Sequence, residues 1–353
     1  MKRLGAALAI ALLVAGCAVR VPRNVGVSIP GPAGGLEGSL FLPDGTGPHP
    51  AIVLIHTARE NSRLDYSQEA RYFAAHGVAA LAYDKRGTGG STGDLGASDF
   101  AFLAQDAVAA ARFLRARSDI DSTRVGYWGM GQGGWVAPLA AEHDTVAAFV
   151  VLVSAPVVTP LEQTMVQRTE ELAAKGLDKG TAETIARLRR RIWDYWLSPL
   201  GSGTAVSDSL HDAFRTATKR PWFAGAVVSH DLPESLIVDE GMGSKEHPAR
   251  WWFKDDMPTF WSLRHDPVGV LMRVRAPILA VYGDEDRVVP VVESVVNFQA
   301  ALGRSYNRRG VVRTFRGADH AMLVRQGAGL LTKIELAPGY RDTVTAWLDR
   351  TIR

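Results

Sequence analysis

One glycine-dense segment has the residue types and spacing of a ligand-binding or reactive turn. Residues 125–134 read VGYWGMGQGG, a strand pattern followed by a turn and the start of a helix. Glycines at 129, 131 and 134 satisfy the G-x-G-x-x-G pattern of dinucleotide-binding turns. Such a site also needs an acidic residue about twenty positions later, where this chain has Ser-Ala-Pro at 154–156. Dinucleotide binding is therefore disfavoured.

The same segment also fits a nucleophile elbow, a sharp strand-to-helix turn with the pattern G-x-S-x-G. The middle position of that pattern carries a serine whose hydroxyl attacks an acyl carbon. Here the middle position is Gly131. The glycines around it indicate backbone crowding between the strand and the helix. A nucleophile elbow catalyses acyl transfer. In this chain the residue at the nucleophile position, Gly131, has no side chain.

The patterns around this turn predict the elements that must position it. Two short strands at 25–29 and 36–42, bounded by Pro- and Gly-containing turns, predict an antiparallel start. Between residues 51 and 154, apolar strand patterns alternate with helical patterns, including a helix at 98–117 with Ser98 as its cap. This alternation predicts an α/β fold with a mostly parallel sheet and helices on both faces.

The alternation stops between residues 157 and 275 and then resumes. Helical patterns at 162–174, 181–197 and 207–218 predict that this stretch is a helical cap over the carboxyl ends of the strands. The expected organisation is a leader at 1–16, a linker at 17–24, core at 25–156, cap at 157–275 and core at 276–353.

Several motifs together resemble the α/β-hydrolase superfamily, in its esterase-like and serine-aminopeptidase-like branch. Residues 83–94, YDKRGTGGSTGD, are similar to its D-x-R-G-x-G-x-S segment, and residues 129–135 match its G-x-S-Q-G-G-W elbow except at Gly131. The resemblance implies an α/β-hydrolase fold over nearly the whole mature chain. It also implies a catalytic triad in which Asp286 of YGDEDRVVP is the acid and His320 of GADHAM is the histidine.

The resemblance further implies an oxyanion hole made of backbone N–H groups. The N–H of Gln132 would be one donor, because it lies at the start of a helix whose dipole favours an anion. The second donor would come from Thr57 or Ala58, after the strand that ends near His56. The branch usually has glycine where this chain has Thr57.

Gly131 leaves three functional interpretations open. In the first, the protein hydrolyses carboxylic esters or related acyl compounds with weak or atypical catalysis, using water and His320 as general base. In the second, it is a non-catalytic pseudoenzyme whose capped pocket binds an acyl or aromatic ligand or a protein partner. In the third, Gly131 is an engineered replacement of serine, made to trap a substrate, and the natural protein is an ordinary esterase.

The amino terminus predicts export. A basic start, an apolar run at 4–14 and the sequence LVAGC at 13–17 resemble a bacterial lipoprotein signal, with cleavage before Cys17 and lipid on its sulfur. This resemblance also implies, from Ala18 after the cysteine, anchoring in the outer membrane on its periplasmic side. Plain secretion and a short helical anchor are the alternatives. Cys17 is also the single cysteine of the chain, so no disulfide is expected.

Composition excludes other partner classes. The net charge is +3 and basic residues form no long stripe, so nucleic acid is not an expected partner. None of the nine histidines is paired at a spacing typical of metal ligands, and no metal or other cofactor is expected. The sequence does not indicate which oligomeric state the protein adopts.

Overall fold

The computed structural model describes residues 22–58, 61–196, 212–213, 215–217, 219–221, 262–305, 307–327 and 332–352. The predicted leader and Cys17 lie outside the described residues, and so do residues 197–211 and 222–261 of the predicted cap, with most of its predicted helix at 207–218. Among the helices in these ranges, none is both long enough and apolar enough to cross a membrane.

Strands and helices alternate along the described chain. The strands are β1 (Arg23–Gly31), β2 (Gly34–Leu42), β3 (His49–Ile55), β4 (Ala79–Tyr83), β5 (Ile120–Met130), β6 (Val150–Val153), β7 (Ile278–Gly283), β8 (Gly310–Phe315), β9 (Leu323–Gln326) and β10 (Lys333–Leu336). The helices are α1 (Ser67–Ala75), α2 (Phe100–Arg115), α3 (Gly133–His143), α4 (Pro160–Ala174), α5 (Lys179–Trp196), α6 (Pro267–Arg273), α7 (Val291–Arg304) and α8 (Tyr340–Thr351).

One eight-stranded sheet organises the fold, in the order β1-β2-β4-β3-β5-β6-β7-β8. The β1–β2 and β2–β4 pairs are antiparallel, and the pairs from β4 to β8 are parallel. The predicted antiparallel start and the predicted mostly parallel sheet are confirmed. Strands β9 and β10 form a separate antiparallel hairpin, which the sequence analysis missed because each strand has only four residues.

Helices cover both faces of the sheet, and the central strands are buried because of this. Strand β3 shows the two-residue period expected of a sheet between two layers. Its Ala51, Val53 and Ile55 pack into the apolar cluster that contains residues of α2, α3 and α7. Its Ile52 and Leu54 pack into the opposite cluster, with residues of α1 and α8.

The start of α2 corrects one predicted contact. Ser98 was expected to cap the helix, but the carboxylate of Asp99 accepts a hydrogen bond of 2.9 Å from the backbone N–H of Phe102. The Ser98 hydroxyl instead donates to the carbonyl oxygen of Asp94, at 2.6 Å. A carboxylate at the N-cap accepts one of the free N–H groups and also interacts favourably with the helix dipole.

Two element boundaries differ from the predicted organisation. Strand β1 begins at Arg23, within the predicted linker. Helix α6 lies within the predicted cap, but it packs against the core helices α3 and α7 and buries Leu271 in the apolar cluster on that face. The core therefore resumes before residue 276. Helices α4 and α5 pack against each other in the predicted cap.

A buried ion pair fixes the segment that follows β4. The guanidinium of Arg86 donates two hydrogen bonds of 2.7 Å, from Nε and Nη2, to the two carboxylate oxygens of Asp106 in α2. Both side chains are less than 5% exposed. This bidentate pair ties the glycine-rich residues 87–93 to the helical layer, so this segment serves as a structural turn.

We expect Asp106→Ala to lower the free energy of unfolding by about 3–5 kcal/mol, because it leaves the Arg86 charge buried without its partner. Glu183→Ala is the control, since Glu183 pairs with Arg187 at the surface of α5 and such pairs contribute about 0–1 kcal/mol. Urea unfolding of both variants measures the difference. Equal losses in the two variants would contradict this role of the Arg86–Asp106 pair.

Candidate active site

The predicted site residues follow the carboxyl ends of parallel strands. Gly131 follows β5, Asp286 follows β7 and His320 follows β8. Because β5 to β8 are parallel, these ends meet at one edge of the sheet. The structure brings all three predicted positions together at this edge.

Asp286 and His320 form a hydrogen-bonded pair. The Nδ1 atom of His320 lies 2.8 Å from Oδ2 of Asp286. The side chain of Asp286 is fully buried, whereas that of His320 is 25% exposed. The other carboxylate oxygen of Asp286 accepts hydrogen bonds from the backbone N–H groups of Val288 and Val289, at 2.8 and 3.0 Å. The carboxylate is thus held in one orientation, and it orients the imidazole in turn.

Gly131 lies directly opposite the second nitrogen of the imidazole. A Cβ placed on Gly131 would be 3.1 Å from Nε2 of His320 and 3.6 Å from Cγ2 of Thr57. The backbone of Gly131 has a φ of +54°, in the left-handed region that side chains rarely adopt. The chain therefore has the backbone geometry of an elbow and a base facing it, with no hydroxyl between them.

The neighbouring glycines are required by crowding, as the sequence indicated. A Cβ on Gly129 would lie 2.1 Å from the carbonyl oxygen of Gly133, and one on Gly134 would lie 2.3 Å from Cβ of Ala155. A Cβ on Gly133 would lie 2.5 Å from the carbonyl oxygen of Ile55. These distances are too short for any side chain, so helix α3 can approach β3, β5 and β6 only without one.

The oxyanion-hole prediction requires one correction. The backbone N–H of Thr57 donates to the hydroxyl of Tyr66, at 2.7 Å, so Thr57 is not the second donor. The N–H of Ala58 remains a prediction, together with that of Gln132 at the start of α3. Tyr66 had no sequence signal, since it lies nine residues away and meets Thr57 only in the folded chain.

Lys85 is a buried residue of this site that the sequence analysis missed. Its Nζ donates to Oε1 of Gln132 at 2.8 Å and to the carbonyl oxygen of Thr57 at 3.1 Å, and the residue is 1% exposed. The Thr57 carbonyl and the Ala58 N–H belong to one planar peptide unit. Lys85 therefore fixes the orientation of the peptide that carries the predicted donor. Its only sequence signal was its place in the variable position of the YDKRG segment.

Two serines that follow other strands, Ser91 after β4 and Ser154 after β6, make contacts elsewhere and do not replace the missing nucleophile. The Ser91 hydroxyl donates to the Asp84 carbonyl oxygen at 2.6 Å. The Ser154 hydroxyl lies 3.9 Å from the sulfur of Met322. Ser154 and Met322 both have positive φ values, +47° and +59°, an uncommon conformation for such residues that recurs at functional sites. Among the described residues, no hydrogen bond joins either serine to His320.

The first helix of the predicted cap contacts the loop that carries Asp286. The amide of Gln163 in α4 donates to the carbonyl oxygen of Val288, at 2.7 Å. Helix α4 begins with a capping box, in which Thr159 and Glu162 satisfy each other's backbone N–H groups. The position of the acid loop is therefore coupled to the start of the cap.

This sheet, its connections and the site at its carboxyl edge define an α/β-hydrolase. The chain belongs to the X-Pro dipeptidyl-peptidase (S15) family, whose model matches residues 35–315.

Two individual proteins are also similar in sequence. The chain is 28% identical to the esterase EstD of Thermotoga maritima over 309 residues, which are 85% of this chain and 61% of that protein. It is 32% identical to the polyketide transferase claH of Penicillium crustosum over 121 residues, or 33% of this chain and 39% of that protein. The chain thus spans less than two thirds of the length of these relatives.

Two solved structures are similar in fold. The structure of DcsB in complex with its substrate analogue has a TM-score of 0.56 and 18% identity, covering 94% of this chain and 99% of DcsB. An esterase of Pyrococcus furiosus has a TM-score of 0.54 and 14% identity, covering 94% of this chain and 92% of that one. Both confirm the α/β-hydrolase fold.

We expect Lys85→Met to lower the free energy of unfolding by about 1–3 kcal/mol, because Gln132 Oε1 and the Thr57 carbonyl lose a buried donor. Lys175→Met removes an exposed ammonium after α4 and is the control. Chemical denaturation of the two variants measures the effect. If Lys85→Met is as stable as the control, Lys85 does not hold the two segments together.

The buried His56 predicts a pH dependence of stability. Burial, together with a smaller effect of the neighbouring Lys85 charge, lowers the pKa of His56 from its ordinary value of 6.5 to about 3. Between these two pH values the unfolded chain binds a proton at His56 that the folded chain does not. Stability should therefore fall as the pH falls from about 6.5 towards 3, with His56 contributing up to about 1.4 kcal/mol per pH unit.

His56→Gln removes this titration. The free energy of unfolding of the variant should thus depend less steeply on pH than that of the wild type over this interval. Denaturant titrations at several pH values provide the comparison. Parallel curves for the two proteins would show that His56 is not the group responsible.

Proposed function

We propose that this protein hydrolyses carboxylic esters or related acyl compounds, with water as the nucleophile and His320 as general base. The observation that carries the proposal is the pair of contacts made by the imidazole. Its Nδ1 is hydrogen-bonded to the buried Asp286 carboxylate, and its Nε2 faces the Gly131 position at 3.1 Å from where a Cβ would be. Because Gly131 has no side chain, a water can approach Nε2 from this side and take the role of the missing hydroxyl.

The proposed reaction uses each polar group of the site once. Nε2 of His320 accepts a proton from the water as its oxygen attacks the acyl carbon. Asp286 stabilises the resulting imidazolium. The N–H groups of Gln132 and Ala58 donate to the oxyanion of the tetrahedral intermediate. When the ester bond breaks, the imidazolium returns the proton to the leaving alkoxide.

Weak catalysis is expected for this arrangement. Removal of a triad member lowers kcat by up to about 10⁶-fold. The remaining site still accelerates the reaction roughly 10³–10⁴-fold over water. An ester substrate is supported by the family match and by the two esterases among the similar proteins. The acid, base and elbow geometry together are what an acyl substrate requires.

A second candidate function rests on Gly131 itself. Since the elbow has no side-chain nucleophile, the same site and cap could bind an acyl or aromatic ligand, or a protein partner, without turnover. The two functions predict different effects on ester hydrolysis when the side chain at position 131 is enlarged.

Three variants separate these functions. Gly131→Ala places a methyl group 3.1 Å from Nε2 of His320 and so blocks the approach of the attacking water; this variant should lose the hydrolysis that the wild type shows. Gly131→Ser adds a hydroxyl at the same backbone strain and should raise the rate roughly a hundredfold or more. His320→Ala should reduce both activities to background. Hydrolysis of short and medium p-nitrophenyl esters measures all three, and a fluorophosphonate label detects the introduced serine.

The activities of the wild type and the three variants distinguish hydrolysis from binding. Wild-type turnover that is lost in both Gly131→Ala and His320→Ala supports water attack. An inert wild type with an active, labelled Gly131→Ser variant supports the binding function. An inert Gly131→Ser variant with normal thermal unfolding would overturn the assignment of the elbow and of His320.

We also propose that the chain is exported and anchored through lipid on Cys17. The basic start, the apolar run and the LVAGC sequence support this proposal. Lipidation also accounts for the single cysteine, which has no disulfide partner within the chain.

A further inference from the structure

A basic groove lies at the end of the sheet opposite the candidate active site. Its volume is about 900 Å³, and five arginines with exposed side chains contribute to its lining. These are Arg273, Arg275, Arg304, Arg308 and Arg309. Among the described residues that line the groove, Glu142 is the single carboxylate. The groove therefore carries a strong positive charge on a chain whose net charge is small.

Tertiary contacts hold these arginines together. They come from two segments, one before β7 and one before β8. The Ser305 hydroxyl donates to the Met272 carbonyl oxygen at 2.9 Å, and the buried Asn307 amide donates to the Val274 carbonyl oxygen at 3.2 Å. Arg309 donates to the carbonyl oxygen of Arg275 at 3.1 Å. The groove is therefore part of the folded core and not a chance meeting of surface loops.

Most of this charge is not neutralised by carboxylates of the described residues. Arg273 forms an ion pair with Glu142 at 2.5 Å. Among the described residues, no carboxylate lies within ion-pair distance of Arg275, Arg304, Arg308 or Arg309. Like charges held close together repel each other, and an external anion relieves this repulsion. The groove is thus suited to a ligand surface with several negative charges.

The parallel strands separate the groove from the candidate active site. Arg275 precedes β7 and Arg309 precedes β8, whereas Asp286 and His320 follow the same two strands. Each strand has six residues, which corresponds to about 20 Å. A surface bound by the groove would therefore leave the candidate active site facing away from it.

The chain enters the fold at the same end of the sheet. Strand β1 begins at Arg23, whose guanidinium lies 3.8 Å from the carboxylate of Asp119. Asp119 directly precedes β5, which is three strands from β8 in the sheet. Cys17 is six residues before Arg23, so an extended linker reaches at most about 20 Å. A lipid on Cys17 would thus hold this end of the protein at the bilayer.

We propose that the arginine groove binds the anionic headgroups of the phospholipid surface to which Cys17 anchors the chain. The choice of a lipid surface rests on the proposed anchor, but the groove and its charge do not depend on the proposed hydrolysis. A lipid anchor combined with a basic patch gives firmer attachment than a lipid anchor alone. Docking through the groove directs the candidate active site towards soluble substrates, away from the bilayer.

Vesicle flotation of the mature chain from Cys17, produced without lipid, tests the groove separately from the anchor. The chain should float with vesicles of phosphatidylglycerol and phosphatidylcholine and not with phosphatidylcholine alone. Salt should weaken this binding, because it screens the exposed charges. The variant Arg275→Ala/Arg304→Ala/Arg308→Ala should bind at least about tenfold more weakly. None of these three side chains forms an ion pair among the described residues.

The control removes the same charge from the other end of the sheet. Arg287, Arg316 and Arg325 are exposed and follow β7 or β8, so their triple alanine variant should bind vesicles nearly as well as the wild type. Equal loss in both triple variants would reduce the effect to net charge and overturn the proposal. Absence of flotation, or binding of inorganic phosphate alone by the groove, would also overturn it. Ester hydrolysis is measured separately, so that a failure of the proposed hydrolysis can be distinguished from a failure of vesicle binding.

Discussion

The close approach of helix α3 to the central strands is the constraint on which the rest of the site depends. Strand β5 must turn into α3 so tightly that no side chain fits at Gly129, Gly133 or Gly134. This turn forces a positive φ at Gly131 and brings the first N–H groups of the helix to the carboxyl edge of the sheet. The elbow geometry therefore follows from packing and persists without a serine.

The parts around this turn are connected by buried polar contacts. Lys85 joins the segment after β3 to the start of α3, through Thr57 and Gln132. The pair of Asp286 and His320 is held by the backbone of its own loop and, through Val288, by the cap helix α4. Since unsatisfied buried polar groups are costly, these contacts hold the site in one arrangement. A base without its nucleophile can thus remain accurately positioned.

The parallel sheet also gives its two ends different physical characters. The carboxyl ends of the strands carry the acid, the base and the elbow, whereas the segments before β7 and β8 carry arginines with little internal neutralisation. Chemistry at one edge and attachment at the other would require no contact between them. Such a division suits a protein that is fixed at a surface while its site stays open to solvent.

The sequence by itself determined the alternation of strands and helices and the antiparallel start. These features are local, since periodicity and glycine-rich turns are set by neighbouring residues. The positions of Gly131, Asp286 and His320 in the site were implied by the resemblance of their motifs to those of the α/β-hydrolases. Only the tertiary structure decided that Tyr66 takes the N–H of Thr57, that Lys85 joins two segments and that Asp99 caps α2. It likewise gathered the arginines of two distant segments into one groove. Each of these depends on which hydrogen-bonding and charged groups meet across the fold. Such contacts join residues from separate elements, so they cannot be predicted from spacing along the chain.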